Sequence, residues 1–132
     1  ATLLLVATPV LADLFVIVNS SNSVEALTID QINRVYLKKA KRFDNGVNAE
    51  PYALAEGSRQ RGLFNLKVLQ RDEQQLKYYW SRKMFSGGDR PPPVLGSEAD
   101  VIAMVAEKPG GIAYITAAPK DARVKVVLKI RD

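Results

Sequence analysis

Hydrophobic residues along the chain form several short runs that are typical of β-strands. Residues 13–19 (DLFVIVN) are a continuous run rich in Val, Ile and Phe, which predicts a strand buried on both faces. Shorter apolar runs predict strands at residues 52–54 and 112–115. Residues 124–130 include alternating lysines, so this segment is predicted to be a strand with one solvent-exposed face at a sheet edge.

Three other segments have the three-to-four-residue apolar spacing of an amphipathic helix. The first, at residues 29–37, begins with Thr28 and Gln31 in the spacing of a capping box. The second covers residues 72–85. The third begins at Ser97 and is stopped by the Pro-Gly-Gly of residues 109–111. The inward-facing residues predicted for the second helix are Leu76, Tyr79, Trp80 and Met84.

The central segment, residues 52–69, contains a short strand that meets a polar corner and then a helix. The corner is Glu56-Gly57-Ser58. The first backbone N–H groups of such a helix have no intrahelical acceptors, and the helix dipole adds partial positive charge there. The corner is therefore suited to an anion. The apolar residues after it have roughly helical spacing: Leu63, Phe64, Leu66, Val68 and Leu69.

Side chains beside this corner add candidate ligands to the backbone amides. Arg59 and Arg61 lie in the first helical turn, where positive charge is unfavourable for the helix dipole and a bound anion would offset it. An ordinary helix start explains the same residues without a ligand, with Ser58 or Glu56 as the cap and both arginines solvated. The sequence leaves both interpretations open. The predicted anion-binding residues at the corner are Glu56, Gly57, Ser58, Arg59, Gln60 and Arg61.

Strands separated by helices predict an α/β fold, a three-layer sandwich with a mainly parallel sheet. Ligands of such sheets bind beyond the carboxyl ends of the strands. Ser20 and Ser21 follow the first predicted strand, and the corner follows the second. We therefore expect both groups at the same edge of the sheet, with the two serines as further candidate ligands.

The composition limits the chemistry that the chain supports. Its 132 residues, of which 47% are hydrophobic and 25% charged, predict one soluble domain with a core. The chain contains no Cys and no His, which excludes thiol nucleophiles, imidazole bases and Cys/His zinc sites. We expect no enzymatic activity, no metal and no cofactor. The net charge of +5 favours anionic partners.

The first twelve residues, ATLLLVATPVLA, contain no charge and end in small residues before Asp13. This pattern is typical of the end of a secretory signal peptide, and the run is too short to span a bilayer. We predict that residues 1–12 are a signal remnant and that residues 13–132 form one secreted domain. The alternative is that the apolar segment forms a first buried helix or strand.

Five stretches, in order along the chain, resemble the phosphate-binding substrate-binding proteins of bacterial ABC importers, most closely their short single-domain members. The resemblance covers nearly all of residues 13–115. The stretches are TIDQINRVYLKK at residues 28–39, the turn DNG at residues 44–46, AEGS at residues 55–58, YW and FSG at residues 79–80 and 85–87, and PGGIAY at residues 109–114.

This resemblance implies the fold of one lobe of a type II periplasmic binding protein and a location in the periplasm. In the full-length family, phosphate is held between two lobes, partly by an Asp-Gly-Ser-Gly-Thr-like turn that follows an arginine. The Glu-Gly-Ser of residues 56–58 matches the start of that turn. Arg59 and Gln60 replace its Gly and Thr, and Leu54 stands near the position of the arginine.

Two functions are consistent with these features. The first is a non-catalytic periplasmic module that binds phosphate or a related oxyanion weakly. The alternative is an interaction module without transport function, which docks to another cell-envelope protein through its basic surface or the proline loop at residues 91–93, or forms a homo-oligomer. Nucleic acid is not an expected partner because no recognition motif is present. No stable membrane span is expected.

Overall fold

A computed structural model describes residues 13–131 and contains four strands and four α-helices within that range. Residues 1–12, for which a signal remnant is predicted, lie outside the described residues. The strands are β1 (Leu14–Asn19), β2 (Glu50–Pro51), β3 (Gly111–Ile115) and β4 (Val124–Ile130). The helices are α1 (Ile29–Tyr36), α2 (Arg59–Phe64), α3 (Glu73–Gly87) and α4 (Glu98–Glu107), and one π-helical turn, Asn65–Leu69, extends α2.

The strands form one sheet in the order β2-β3-β1-β4. β1 is antiparallel to both β3 and β4, and only the short β2 runs parallel to its neighbour β3. The α/β class is confirmed, but the prediction of a mainly parallel sheet is wrong. Alternation of strands and helices along a chain does not determine which strands become neighbours. Here the first strand takes the central position between two strands that run opposite to it.

Helices cover both faces of the sheet, which confirms the predicted three layers. On one face, the ring of Tyr114 in β3 stacks on Phe64 of α2, with ring centroids 4.1 Å apart. On the other face, α4 packs so closely that a Cβ atom at Gly111 would lie 2.9 Å from the Cα atom of Val105. Asn19, the last residue of β1, donates to the carbonyl of Val105 at 2.9 Å. The core therefore fills both sides of the sheet, as the apolar run of β1 predicts.

The helices begin where the local signals predict. Thr28 caps α1, since its hydroxyl accepts from the amide of Gln31 at 3.1 Å and its own amide donates to the Gln31 side chain at 2.9 Å. Ser97 caps α4, and Asp72 forms a second capping box with Gln75 at the start of α3. Each of these bonds joins residues that are three positions apart, so the local sequence is sufficient to predict it.

Some side chains that were predicted to face inward lie outside the core. Leu76 and Trp80 of α3 are buried as predicted, whereas Met84 is 46% exposed. Leu66 is 67% exposed because it lies in the π-helical turn, whose wider repeat changes the direction of side chains relative to α-helical spacing.

The strand before the corner begins earlier than predicted. β2 is Glu50–Pro51, and Ala53 forms only an isolated bridge with Val94. The amide of Tyr52 still donates to the carbonyl of Ile112 at 2.9 Å, so the chain remains joined to β3 as it approaches the corner. At the other edge of the sheet, β4 is an edge strand, as its lysines predict.

Candidate functional site

The predicted corner is a tight turn that leads directly into α2. Gly57 has a φ of +87°, a left-handed conformation that glycine adopts without the strain of a side chain. Ser58 is the N-cap, and its hydroxyl accepts from the amide of Arg61 at 3.2 Å. The first intrahelical bond of α2 runs from the amide of Gly62 to the carbonyl of Ser58, and the backbone amides of the first turn precede it. Backbone amides at helix starts are groups that bind anions in many proteins.

Arg61 is directed away from this corner and into a carboxylate. Its Nε atom lies 2.6 Å from Oε1 of Glu73, and a second guanidinium nitrogen lies 2.9 Å from Oε2, so the pair is bidentate. Asn65 donates to the same carboxylate at 2.7 Å. The Arg61 guanidinium hydrogen bond lowers the pKa of Glu73, and the Asn65 bond adds to this effect. The alternative in which both arginines are solvated is therefore wrong for Arg61.

Gln60 also contacts a carboxylate of the chain itself. Its side-chain amide donates to Oε2 of Glu98 at 2.6 Å. Glu98 is the first residue of α4 and accepts two further bonds from the amide and hydroxyl of Thr116, at 3.0 and 2.7 Å. Burial alone would raise the pKa of Glu98, but these hydrogen bonds outweigh it and lower the pKa. Gln60 thus joins the start of α2 to α4 and to the end of β3.

Two of the remaining corner residues, Gly57 and Ser58, line a wide groove between α2 and the start of α3. Gly57, Ser58, Gly62, Leu66 and Arg71 are among the residues that line it, and its volume is about 670 Å³. The exposed carboxylate of Glu56 lies 3.8 Å from the ammonium of Lys77. The side chain of Arg59 is exposed at the first turn of α2.

Ser20 and Ser21 lie at the opposite end of the sheet from the corner. Ser20 donates through its hydroxyl to the carbonyl of Ala122 at 2.7 Å, beside the start of β4. Ser21 donates through both its amide and its hydroxyl to the side chain of Asn19. The prediction that these serines and the corner share one edge is wrong. Because β1 is antiparallel to β3, the end of β1 meets the start of β3, whereas the corner meets its end.

Leu54, which stands near the position expected for the family's arginine, is buried. Its amide donates to the hydroxyl of Tyr114 at 3.0 Å, and its carbonyl accepts from the guanidinium of Arg61 at 3.2 Å. A guanidinium therefore lies against this part of the chain although the local residue is a leucine. The sequence does not predict this contact, because it depends on how α2 is oriented against β3.

Three residues of this region were not among the predicted site residues: Asn65, Glu73 and Glu98. Glu73 and Glu98 each open a helix, where an acidic residue is explained by the helix dipole alone. No short motif connects them to Arg61 or Gln60, which are 12 and 38 residues away. Within residues 13–131 there is no group of three or more acidic residues that could hold a metal ion.

Comparisons with known proteins agree with this architecture. No protein-family model matches the chain, and no curated protein sequence matches it. Solved structures do. The chain has the fold of one lobe of a periplasmic binding protein. A protein from Clostridium perfringens, described as a phosphate ABC transporter substrate-binding protein with bound phosphate, superposes with a TM-score of 0.68 at 18% identity over 88% of this chain.

An ABC-type phosphate transport receptor from Vibrio cholerae superposes with a TM-score of 0.67 at 17% identity, again over 88% of this chain. The match covers 45% of the Clostridium chain and 46% of the Vibrio chain, so the present chain spans about half the length of these relatives. The resemblance found in the sequence is confirmed at the level of the fold. No helix in the described part of the chain has both the length and the apolar character needed to cross a membrane.

Proposed function

We propose that this chain is a periplasmic module that binds phosphate or a related oxyanion and has no catalytic role. The observation that carries the proposal is the corner at residues 56–60, a left-handed glycine followed by a capped helix start, on a lobe whose structural neighbours include a phosphate-bound receptor. The anion would accept hydrogen bonds from the amides of Arg59 and Gln60. The hydroxyl of Ser58 would donate, and the charge of Arg59 would add attraction.

The expected binding is weak and sensitive to salt. Arg61 and the side chain of Gln60 are already bonded to Glu73 and Glu98, so two of the predicted ligands contribute to the anion only at a distance. The groove beside the corner is open to water, where charge attraction is screened. A dissociation constant of about 1 mM corresponds to about −4 kcal/mol, which is reasonable for a few amide bonds and one exposed cation.

The test is calorimetric titration of the protein with phosphate and then with sulfate, at low and at moderate salt. We expect saturable binding that weakens with salt and is lost in the double variant Ser58→Ala/Arg59→Ala. The matched control is Arg34→Ala, which removes an exposed arginine from α1, far from the corner in sequence. Thermal unfolding of each variant shows whether the fold is retained, because loss of the Ser58 cap alone costs about 1 kcal/mol.

The absence of binding at millimolar phosphate in the folded protein would contradict the proposal. Equal affinity of the double variant and the unaltered protein would remove the corner from the site.

The second candidate function is an interaction module that docks to another envelope protein. It is favoured because Arg61 and Gln60 bond to the chain's own carboxylates, Glu73 and Glu98, whereas a dedicated anion receptor would direct such side chains at its ligand. It is also favoured by large apolar side chains on the surface of α3, of which Phe85 is 96% exposed. This candidate predicts no dependence on phosphate and retention of partner binding in the Ser58→Ala/Arg59→Ala variant.

A further inference from the structure

Helix α3 packs on the core through Leu76 and Trp80, and its opposite face carries a row of exposed side chains. Residues three and four apart on a helix lie on one face, and Gln75, Tyr78, Arg82 and Phe85 of α3 follow that spacing. Arg71 precedes the helix and its N-cap and lines the same groove. Tyr78 is 65% exposed and Phe85 is 96% exposed, although large aromatic side chains are usually covered. We call this surface the α3 stripe and define it as Arg71, Gln75, Tyr78, Arg82 and Phe85.

The α3 stripe is part of a concave surface. Together with Tyr79 and Lys83, it lines a groove of about 930 Å³ along α3. Two of the stripe residues, Arg71 and Gln75, also line the groove that contains Leu66, which is 67% exposed, so the two grooves adjoin at the start of the helix. From Gln75 to Phe85 the helix extends about 15 Å, the length of about three turns of a partner helix.

The charge of the α3 stripe is positive. The guanidinium of Arg82 lies 5.7 Å from the centroid of the Tyr78 ring, and that of Arg71 lies 5.2 Å from the Tyr79 ring. Within residues 13–131, neither arginine forms an ion pair with a carboxylate. The nearby carboxylate of Asp72 accepts from the amide of Gln75 as the helix cap. Two arginines therefore lie over aromatic rings. Among the residues that line this groove, Arg71, Arg82 and Lys83 outnumber the single acidic residue Asp72, so the net charge of the groove is positive.

We propose that the α3 stripe is a docking surface for an acidic amphipathic helix of another protein. Leucine-like side chains of the partner would pack between Tyr78 and Phe85, and its flanking carboxylates would pair with Arg71 and Arg82. Tyr and Arg are the residue types that contribute most to the affinity of protein interfaces, and opposite charge determines partner choice. The proposal does not depend on anion binding at the corner.

Other occupants fit these observations less well. A second copy of the chain would bring arginines of two stripes together, which is unfavourable. Nucleic acid is not favoured because the sequence contains no nucleic-acid recognition motif.

The experiment uses the full chain and a panel of synthetic, fluorescently labelled helical peptides of about 14 residues. Each peptide has leucines at alternating three- and four-residue spacing and glutamates on both flanks, and the panel varies the register between the two. A matched panel has lysine in place of every glutamate. Fluorescence anisotropy measures binding at low and moderate salt.

We expect saturable binding of acidic peptides and none of their lysine counterparts. Phe85→Ser and Arg82→Glu should each weaken the acidic peptide about tenfold or more. Arg82→Glu should also gain affinity for the lysine panel, which a loss of folding cannot produce. The matched control is Lys120→Glu, which makes the same charge change at an exposed residue of the loop between β3 and β4 and should leave binding unchanged.

Three results would overturn the proposal. The first is that no acidic peptide of the panel binds, or that acidic and lysine peptides bind alike. The second is binding that Phe85→Ser and Arg82→Glu do not change while both variants remain folded by circular dichroism. The third is Phe85-dependent binding to phosphatidylglycerol vesicles, or Phe85-dependent dimerisation in sedimentation, without peptide binding. Titration of the Arg82→Glu variant with phosphate tests the corner site separately, because loss of peptide binding at the α3 stripe does not require loss of phosphate binding at the corner.

Discussion

The contact of Arg61 with Glu73 determines what the corner offers to a ligand. The guanidinium bonds both oxygens of the carboxylate, Asn65 adds a third bond, and the carbonyl of Leu54 takes up another guanidinium N–H. Neither side chain of the pair is more than about a quarter exposed. A bidentate pair of this kind is stronger than an ordinary surface ion pair, because it is partly shielded and its geometry is restricted.

Glu73→Gln should lower the free energy of unfolding at pH 7 by about 1–2 kcal/mol, because it removes a charge-assisted pair. The pKa of Glu73 is lowered in the folded state, so its stabilisation is present above the unfolded pKa of about 4.3 and is lost as pH falls through the folded value. Urea unfolding between pH 7 and pH 3 should therefore show a smaller loss of stability in the variant than in the unaltered protein. Glu25→Gln, which removes an exposed carboxylate, is the control, and parallel pH curves for Glu73→Gln and the unaltered protein would contradict the prediction.

Ionisation of Tyr114 should lower the stability of the protein at alkaline pH. Burial raises the pKa of its hydroxyl to about 12, and burial also raises the pKa of Tyr36. The stabilisation from the neutral hydroxyl is complete below the unfolded pKa of about 10 and is lost as pH rises through the folded value. Absorbance titration should show a late tyrosinate step that is reduced in Tyr114→Phe. That variant should also lose about 1 kcal/mol, because the buried amide of Leu54 loses its acceptor.

At the scale of elements, the junction between β2 and β3 depends on two backbones that lie very close together. A Cβ atom at Gly110 would lie 1.8 Å from the carbonyl oxygen of Asn48, and the amide of Glu50 donates to the carbonyl of Gly110 at 2.8 Å. No rotamer change relieves a clash with a main-chain atom, so the strands would have to separate. This junction positions the chain that leads to the corner.

Gly110→Ala should therefore destabilise the protein by about 3 kcal/mol or prevent folding. The comparison variant is Gly87→Ala, in the last turn of α3, where an added methyl group meets no atom within 4 Å and helix propensity favours alanine by up to about 1 kcal/mol. The measurement is the melting temperature of each variant, which should be clearly lower for Gly110→Ala than for Gly87→Ala. Similar melting temperatures would mean that the close approach at Gly110 is not required.

At the scale of the whole molecule, the sheet is enclosed and α3 is peripheral. β1 has a neighbouring strand on both edges and helices on both faces. α3 packs through Leu76, Trp80 and the hydroxyl of Tyr79, which donates to the carbonyl of Leu37, while its other face is exposed. Elements that bury few side chains open locally at a lower free energy than the core.

Native-state hydrogen exchange should consequently show the strongest protection in β1 and β3 and weaker protection in α3. The ordering follows from burial, because opening α3 exposes one side of one helix, whereas opening β1 disrupts the whole core. Equal protection of α3 and β1 would indicate that the molecule opens only as a unit. An acidic peptide bound to the α3 stripe should raise the protection of α3 and leave that of β1 nearly unchanged.

The sequence by itself determined the features that depend on neighbours along the chain. The caps at Thr28 and Ser58, the helix start after Gly57 and the burial of residues 14–19 all follow from residue type and spacing within a few positions. The family resemblance, which rests on such local stretches, likewise predicted the lobe fold that the structural comparisons bear out.

Only the tertiary structure decided what depends on residues that are far apart along the chain. The placement of β1 between β3 and β4 made the sheet mostly antiparallel and separated Ser20 and Ser21 from the corner. The path of the chain from α2 to α3 placed Glu73 within reach of Arg61, and the packing of α3 left one aromatic stripe uncovered. Spacing along the chain does not specify such contacts, because they depend on which faces of separate elements come together and on the charges that meet there.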